Sequence, residues 1–181
     1  FARQHTTPGA EGSVENWARG LAKTSEAVLY FHKAGDSDEA IARVMGYVLQ
    51  PPVAHVDTSW YGRAGVYGAF AAAGTGDPAL ERALDHKVRW VLFNQGWAPW
   101  YGVFDHGDVK VRYDGGRWDM WGHNEPAQDF QLWVHFMRTG DPAVFDAALA
   151  LSRHTMDVDN THWPTGPVYR GDSNQSGDWF K

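Results

Sequence analysis

The chain contains 181 residues, which is long enough for one ordinary domain with a sizeable core. Its 16 Lys and Arg against 22 Asp and Glu give a net charge of −6, which argues against a nucleic acid or an anionic membrane surface as partner. No apolar run approaches the roughly 18 residues that a membrane helix needs. The sequence has no cysteine, which excludes disulfides, thiolate metal ligands and a cysteine nucleophile.

The N-terminal part of the chain predicts one strand and one helix. Residues 24–32 place Ala27, Leu29 and Phe31 on one face of a strand. Residues 38–49 carry apolar side chains at helical spacing, and two prolines at residues 51–52 end this helix because proline lacks the amide hydrogen. We place the best candidate domain boundary at these prolines.

Four helices are predicted after this boundary. Residues 60–73 form the first, and Asp77 caps a second helix whose first position is Pro78. Residues 95–122 lack a helical period and predict a long loop or a short β excursion, and a loop of that length inside a compact domain is usually functional. Residues 126–137 predict the third helix, a fourth follows Pro142, and residues 157–181 are predicted to be loop.

A repeated turn is the strongest structural signal in the sequence. The run TGDPA occupies residues 75–79 and again 139–143, each time between two predicted helices. Glycine can take the left-handed position that ends a helix, aspartate accepts amide hydrogens at the next N-terminus, and proline presets φ. Helical hairpins with long excursions between them favour a toroid, in which loops at one rim build a cleft.

Aromatic residues are abundant, with 10 Trp, 7 Tyr and 9 Phe. Such side chains fill gaps between packed helices, but Trp and Tyr also suit a wet cleft that stacks on sugar rings. For the aromatic residues of the glycine-rich segment we favour a binding surface, formed by Trp97, Trp100, Tyr101, Trp118 and Trp121.

Two polar constellations flank the predicted third and fourth helices. His123, Asn124 and Glu125 precede the third helix, where Asn is also a good cap and where backbone amides favour a carboxylate ligand. The second constellation follows the fourth helix and consists of His154, Asp157, Asp159 and His162. It is able to ligate a divalent metal such as calcium or to organise a proton relay, but its spacing matches no specific metal pattern. We therefore favour a hydrogen-bonded cluster that anchors the loop, and no cofactor.

A third constellation lies in the long loop and offers aromatic faces, a cation and a possible base: Trp100, Tyr101, His106, Asp108, Arg112 and Tyr113. Tyr61 and Arg63 are similar in kind. Glycoside hydrolysis needs two carboxylates, and these are available among Glu125, Asp129, Asp157 and Asp159.

Taken together, these segments resemble the family of YetA-like proteins and fungal exo-acting rhamnogalacturonan lyases. The resemblance rests on short motifs in order along residues 19–162: Arg19-Gly20-x-Ala22-Lys23-Thr24-x-Glu26, Trp60-Tyr61, Tyr101-Gly102, Gly107-Asp108, Trp121-x-x-Asn124-Glu125, Arg138-Thr139-Gly140-Asp141 and His154-x-x-Asp157-Val158-Asp159-x-x-His162. Pro126 departs from the family pattern.

The resemblance implies a mainly α fold, in which the end of a β-sandwich region and a linker helix (residues 1–52) precede part of an (α/α) toroid of helical hairpins (residues 53–181). It also implies that the chain belongs to a larger protein, which we expect to be secreted or periplasmic.

The activity that the resemblance implies is β-elimination at a uronic acid of an acidic polysaccharide or oligosaccharide of the rhamnogalacturonan or pectin type. In this hypothesis Asn124 neutralises the substrate carboxylate, His123 or His162 is the base, and Tyr101 is the acid or a stacking residue. The remaining substrate-binding candidates are Tyr61, Arg63, Trp100, His106, Arg112, Trp121 and Glu125. A glycoside hydrolase of the six-hairpin type and a non-catalytic glycan-binding domain stay open as alternatives.

Overall fold

A computed structural model describes residues 22–98, 100, 106–113, 118–160 and 162, with the backbone alone for residues 111–113 and 118–120. The chain is mainly helical there, as predicted. Its elements are α1 (Asp38–Leu49), α2 (Thr58–Ala64), α3 (Pro78–Trp97), β1 (Lys110–Tyr113), β2 (Trp118–Trp121), α4 (Gln128–Thr139) and α5 (Pro142–Asp157). Within the described ranges, none of the helices is both long and apolar enough to cross a bilayer.

Helix α1 has the bounds that the apolar spacing predicts, and the Ser37 side chain accepts the Ala40 amide hydrogen at its N-terminus. The strand predicted for residues 24–32 is wrong. A strand needs the backbone of a neighbouring strand, and the backbone just before this segment is bound to a helix end instead, where Ala22 N donates to Asp157 O at 2.9 Å. The side chains of Leu29 and Phe31 are 80% and 88% exposed.

Helix α2 is shorter than the predicted helix over residues 60–73. It ends at Ala64 because Gly65 takes a left-handed φ of 67° and donates its amide hydrogen to Tyr61 O. The following residues, 65–77, are non-helical. The first TGDPA run therefore follows a loop rather than a helix, and the left-handed glycine before α3 is Gly74, not Gly76.

The second TGDPA run forms the predicted turn between α4 and α5. Gly140 has a φ of 71° and Asp141 accepts the Ala143 amide hydrogen at 2.9 Å. Arg138, at the end of α4, contacts residues on both sides of the first run: its Nε donates to Ala71 O at 2.9 Å and its guanidinium pairs with Glu81 of α3. These contacts hold the C-terminus of α4 against the start of α3 and the loop before it.

The antiparallel pair α4 and α5 forms the main core together with one side of α3. Its buried side chains are Val88, Leu132, Phe136, Val144, Ala147, Ala148 and Leu151. A smaller core of Val91, Trp100 and Val109 joins α3 to the start of the β-hairpin. The two cores hold the hairpin against the helices.

Strands β1 and β2 pair antiparallel, with Lys110 opposite Trp121 and Tyr113 opposite Trp118. The prediction of a short β excursion is therefore confirmed within the long segment, although α3 continues to Trp97 before it. The register of the β-hairpin determines which residues before β1 lie opposite which residues after β2. The candidate site lies at this end of the hairpin.

Candidate functional site

Four buried or half-buried side chains meet where the β-hairpin opens towards the helices. We call Asp108, His123, His154 and Asp159 the His–Asp cluster. Asp108 precedes β1 and His123 follows β2, so the pairing of Lys110 with Trp121 continues outward to bring them together. The Gly122 amide donates to Val109 O at 2.8 Å and the His123 amide donates to Asp108 Oδ2 at 3.0 Å.

The end of α5 and the residues just after it supply the other half of the cluster. Because α5 runs back along α4, its last turn carries His154 to the level of the segment that precedes α4, and Asp159 follows two residues after the helix ends. His123 Nδ1 lies 3.0 Å from Asp159 Oδ1 and 3.7 Å from Asp108 Oδ2. His154 Nε2 lies 3.3 Å from Asp159 Oδ1 and 3.4 Å from Asp108 Oδ2.

Two glycines allow this close approach. A Cβ at Gly107 would lie 2.4 Å from the carbonyl carbon of Ala150 in α5, and a Cβ at Gly122 would lie 3.0 Å from Val109 O. Gly107 therefore lets the loop before Asp108 rest directly on the helix that carries His154. A side chain at either glycine would push one half of the cluster away from the other.

Consecutive left-handed residues present the exposed side of the cluster. His123 has a φ of 45° and Asn124 a φ of 55°, a left-handed conformation that is uncommon outside glycine and that Asn and His adopt more readily than most residues. Asn124 Oδ1 accepts the Asp129 amide hydrogen at 3.0 Å, so Asn124 caps the first turn of α4 without occupying its cap position, where Ala127 stands. The structural role predicted for Asn124 is present.

Burial and the neighbouring charges shift the pKa values of the cluster residues in opposite directions. Burial raises the pKa of Asp108, which outweighs the attraction of His154 and the amides of His123 and Val109. For Asp159, burial alone would raise the pKa, but the bonds and charges of the two histidines hold it below its usual value. Burial would lower the pKa of His123, but the Asp159 bond and the nearby carboxylates raise it above its usual value.

The predicted site residues at the end of α5 have different surroundings. Asp157 accepts from Thr24 N at 2.6 Å and from Thr24 Oγ1 at 2.9 Å, so its carboxylate tethers the segment before α1. His162 Nε2 lies 2.9 Å from Met156 O. Glu125 is exposed, and its amide donates to Gly122 O.

The aromatic loop residues are divided between core and surface. Trp100 is 4% exposed and meets Trp90 edge-on with ring centroids 5.3 Å apart, which argues against the stacking role predicted for it. Trp121 is half-buried and has Lys110 Nζ 5.0 Å above its ring. Tyr101 and the Arg112 side chain lie outside the described residues.

Tyr61 and Arg63 lie at the other end of the helical hairpin from the cluster. Thr58, at the start of α2, donates to Met137 O near the C-terminus of α4. Helix α4 has 12 residues, which separates its ends by about 18 Å. Arg63 itself contacts Ser59 and the ring of Trp60. The structure does not bring these two candidates to the cluster.

A groove of about 290 Å³ runs beside α5 and begins next to the cluster. Its lining includes Gln95, Trp100, His106, Gly107 and Asp146. Burial and then the charges of Lys23 and His154 lower the pKa of His106. His106 thus lies within electrostatic range of the cluster, at the groove.

Asp108 is a member of the His–Asp cluster that the sequence does not predict as a site residue. The sequence places it in the polar constellation of the long loop, but gives it no role there. Asp108 lies two residues before β1 and His123 lies two residues after β2. Only the register of the β-hairpin shows that these two positions are opposite each other.

Residues 51–168 match the family model described as "PcRGLX-like protein C-terminal alpha/alpha toroid domain". The chain is also 29% identical over 154 residues to a curated relative, "Uncharacterized protein YetA" of Bacillus subtilis (strain 168). That match covers 79% of this chain and 18% of the relative, so the chain spans less than a fifth of that protein. The predicted (α/α) toroid is confirmed by the family match.

Proposed function

The chain belongs to the family of PcRGLX-like C-terminal α/α toroid domains, and on this premise we propose that it is part of a carbohydrate-active enzyme that cleaves a uronic-acid-containing glycan by β-elimination. The observation that carries the proposal is the His–Asp cluster beside His123 and Asn124, which both have a positive φ. Non-glycine residues in the left-handed region are found preferentially at functional sites, where the surrounding structure holds them in place.

β-Elimination requires three tasks of the protein. The proton next to the uronate carboxylate becomes acidic enough to remove only when the carboxylate charge is offset. A base then takes that proton, its electron pair forms the new carbon–carbon double bond, and the glycosidic carbon–oxygen bond breaks. An acid returns a proton to the leaving oxygen.

We assign the task of offsetting the carboxylate charge to hydrogen-bond donors at the exposed edge of the His–Asp cluster, where the side chain of His123 is 29% exposed. Asn124 assists from its NH₂ group, since its carboxamide oxygen is held by the Asp129 amide. Neutral or positive hydrogen-bond donors at a substrate carboxylate favour the transition state, in which that group gains charge.

We assign the base to His162. A carbonyl oxygen only accepts hydrogen bonds, so the ring nitrogen facing Met156 O, Nε2, carries the hydrogen. In the neutral ring Nδ1 is then the basic atom. His123 is the second candidate for the base, and Tyr101 stays the candidate acid. The groove that contains His106 is the proposed path for the glycan.

A glycoside hydrolase that used the two carboxylates of the His–Asp cluster is less well supported by the geometry. Hydrolysis needs two carboxylates on either side of a sugar, with roughly 5–9.5 Å between them for the ring or a water. Asp108 and Asp159 are 0% and 4% exposed, and the space between them holds the two histidines. No sugar ring fits between those carboxylates.

The test is the ultraviolet absorbance of unsaturated uronate products, measured with the intact protein that carries this chain on pectic rhamnogalacturonan. We expect the absorbance to rise with wild type and to fall at least a hundredfold in rate with His162→Gln. An absence of unsaturated product from a folded wild-type protein, on rhamnogalacturonan and on other uronic-acid glycans, contradicts the function. Retention of activity within tenfold in Asn124→Ala or His162→Gln contradicts only the role of that residue.

A further inference from the structure

We propose that the His–Asp cluster is a binding site for one divalent cation of the zinc type, with Asp108, His123, His154 and Asp159 as its ligands. Asp108, His123 and His154 each offer a ligand atom, and these atoms lie within 4.8 Å of one another. Binding of the cation is independent of the proposed function. Its use to offset the charge of a substrate carboxylate rests on that function.

The separations between donor atoms suit a small four-coordinate ion. Zinc bonds of about 2.0–2.2 Å to nitrogen and oxygen in a tetrahedral site place neighbouring donors about 3.3–3.5 Å apart. The four nitrogen–oxygen separations in the cluster are 3.0, 3.3, 3.4 and 3.7 Å, which fall on both sides of that value. Small shifts of side chains are sufficient to reach the ligand geometry.

The burial of the donors points to a ligand. Asp159 is 4% exposed, and within the described part of the chain its Oδ2 atom has no hydrogen-bond partner. Asp108 and His154 are 0% and 2% exposed. Two carboxylates buried together are costly unless positive charge accompanies them. A dication balances both carboxylates while leaving the two imidazoles neutral, which is the form that binds metal.

The donor set also selects among metals. Calcium takes six to eight oxygen ligands, whereas this cluster provides two imidazole nitrogens and two carboxylates. Imidazole with carboxylate suits zinc and neighbouring transition metals. The backbone already holds one ligand in place, because the amides of His123 and Val109 both donate to the carboxylate of Asp108. Calcium, which the sequence left open, is the less suitable ion here.

The experiment measures metal content and needs no substrate. The intact protein is stripped with a chelator, dialysed against micromolar zinc, and analysed by elemental mass spectrometry. We expect about one zinc per chain and a rise in the thermal midpoint that a chelator reverses, with no such rise for calcium. Cobalt in place of zinc is expected to give the intense visible bands of a four-coordinate site.

The matched variants are Asp159→Asn and Asp157→Asn. Both remove one buried carboxylate charge near the end of α5, but Asp157 bonds Thr24 rather than the cluster. We expect Asp159→Asn to lose zinc at least tenfold and Asp157→Asn to retain it. His123→Gln removes a second ligand at the more exposed edge of the cluster, where a substitution disturbs the fold least, and we expect it to lose zinc as well.

Less than about 0.2 zinc per folded wild-type chain would overturn the inference. So would equal zinc content in the wild type, Asp159→Asn and His123→Gln, since that pattern denotes adventitious binding elsewhere. A protein that binds zinc but forms no unsaturated uronate keeps the metal site and loses the proposed function. A protein that forms unsaturated uronate but binds no zinc keeps the proposed function and loses the metal site.

Discussion

Replacing Gly107 by alanine is expected to destabilise the domain by roughly 2–4 kcal/mol. Gly107 has a φ of 88°, and an added Cβ would lie 2.4 Å from the carbonyl carbon and 2.5 Å from the oxygen of Ala150. The left-handed conformation costs alanine roughly 1–2 kcal/mol. Overlap with helix backbone, which cannot rotate aside, adds roughly 1–3 kcal/mol, and the stiffer unfolded chain returns about 0.4–1 kcal/mol.

The control is Gly74→Ala, which isolates the conformational cost. Gly74 has a φ of 77° and no atom within 4 Å of its built Cβ, so we expect a loss of about 1 kcal/mol there. Urea denaturation of the intact protein, followed by tryptophan fluorescence, compares the two variants. Equal losses would refute the close approach of the loop to α5. Because Gly107 adjoins Asp108, Gly107→Ala is also expected to reduce zinc content more than Gly74→Ala does.

Three further changes test the packing and the charges. Leu151→Ala removes a fully buried side chain and should lower the free energy of unfolding by roughly 2–5 kcal/mol. Leu149 is 44% exposed on the same helix, so Leu149→Ala should lower it by less than about 1 kcal/mol. Similar losses for the two variants in urea unfolding would contradict the core assignment. Asp141→Ala removes the α5 cap and should cost about 1 kcal/mol in the same assay, with no loss as the contrary result. Burial, and then Arg138, lower the pKa of His135 in the fold. As the pH falls, the unfolded chain therefore protonates His135 before the folded chain does, so the stability of the fold should decrease below about pH 6.5. His135→Gln should make the thermal midpoint depend less on pH. An unchanged dependence of the midpoint on pH would contradict this role of His135.

The sequence predicts the helices best where local side chains decide the outcome. The bounds of α1 and the caps at Asp77 and Asp141 depend on hydrogen bonds within a few residues, and all are observed. The strand over residues 24–32 fails because strand formation depends on a partner elsewhere in the chain. An alternating pattern alone does not provide one.

The helix predicted over residues 60–73 fails for a related reason. Its small residues are compatible with a helix, but Gly65, Gly68 and Gly74 all take positive φ, and Arg138 binds the backbone of Ala71 and Ala72. Glycine permits both outcomes, and a contact with a residue far along the chain decides between them. Composition could not show that contact.

The sequence predicts the candidate site only in separate parts. His123 belongs to one polar constellation, His154 and Asp159 to a second, and Asp108 to a third. Two long-range features unite them: the register of the β-hairpin and the reversal of the chain at Gly140. Residue types at the ends of elements were readable from the sequence, whereas the distances between those ends required the fold.

Isotope labelling of the cleavage products tests the central claim most directly. The intact protein is incubated with rhamnogalacturonan in water enriched in oxygen-18, and the products are analysed by mass spectrometry. Elimination adds no water, so we predict products with a carbon–carbon double bond at the new non-reducing end and with no more oxygen-18 than a reducing sugar acquires by exchange in the same water. Products that carry one oxygen-18 beyond that exchange and no double bond would contradict the account, because they require hydrolysis.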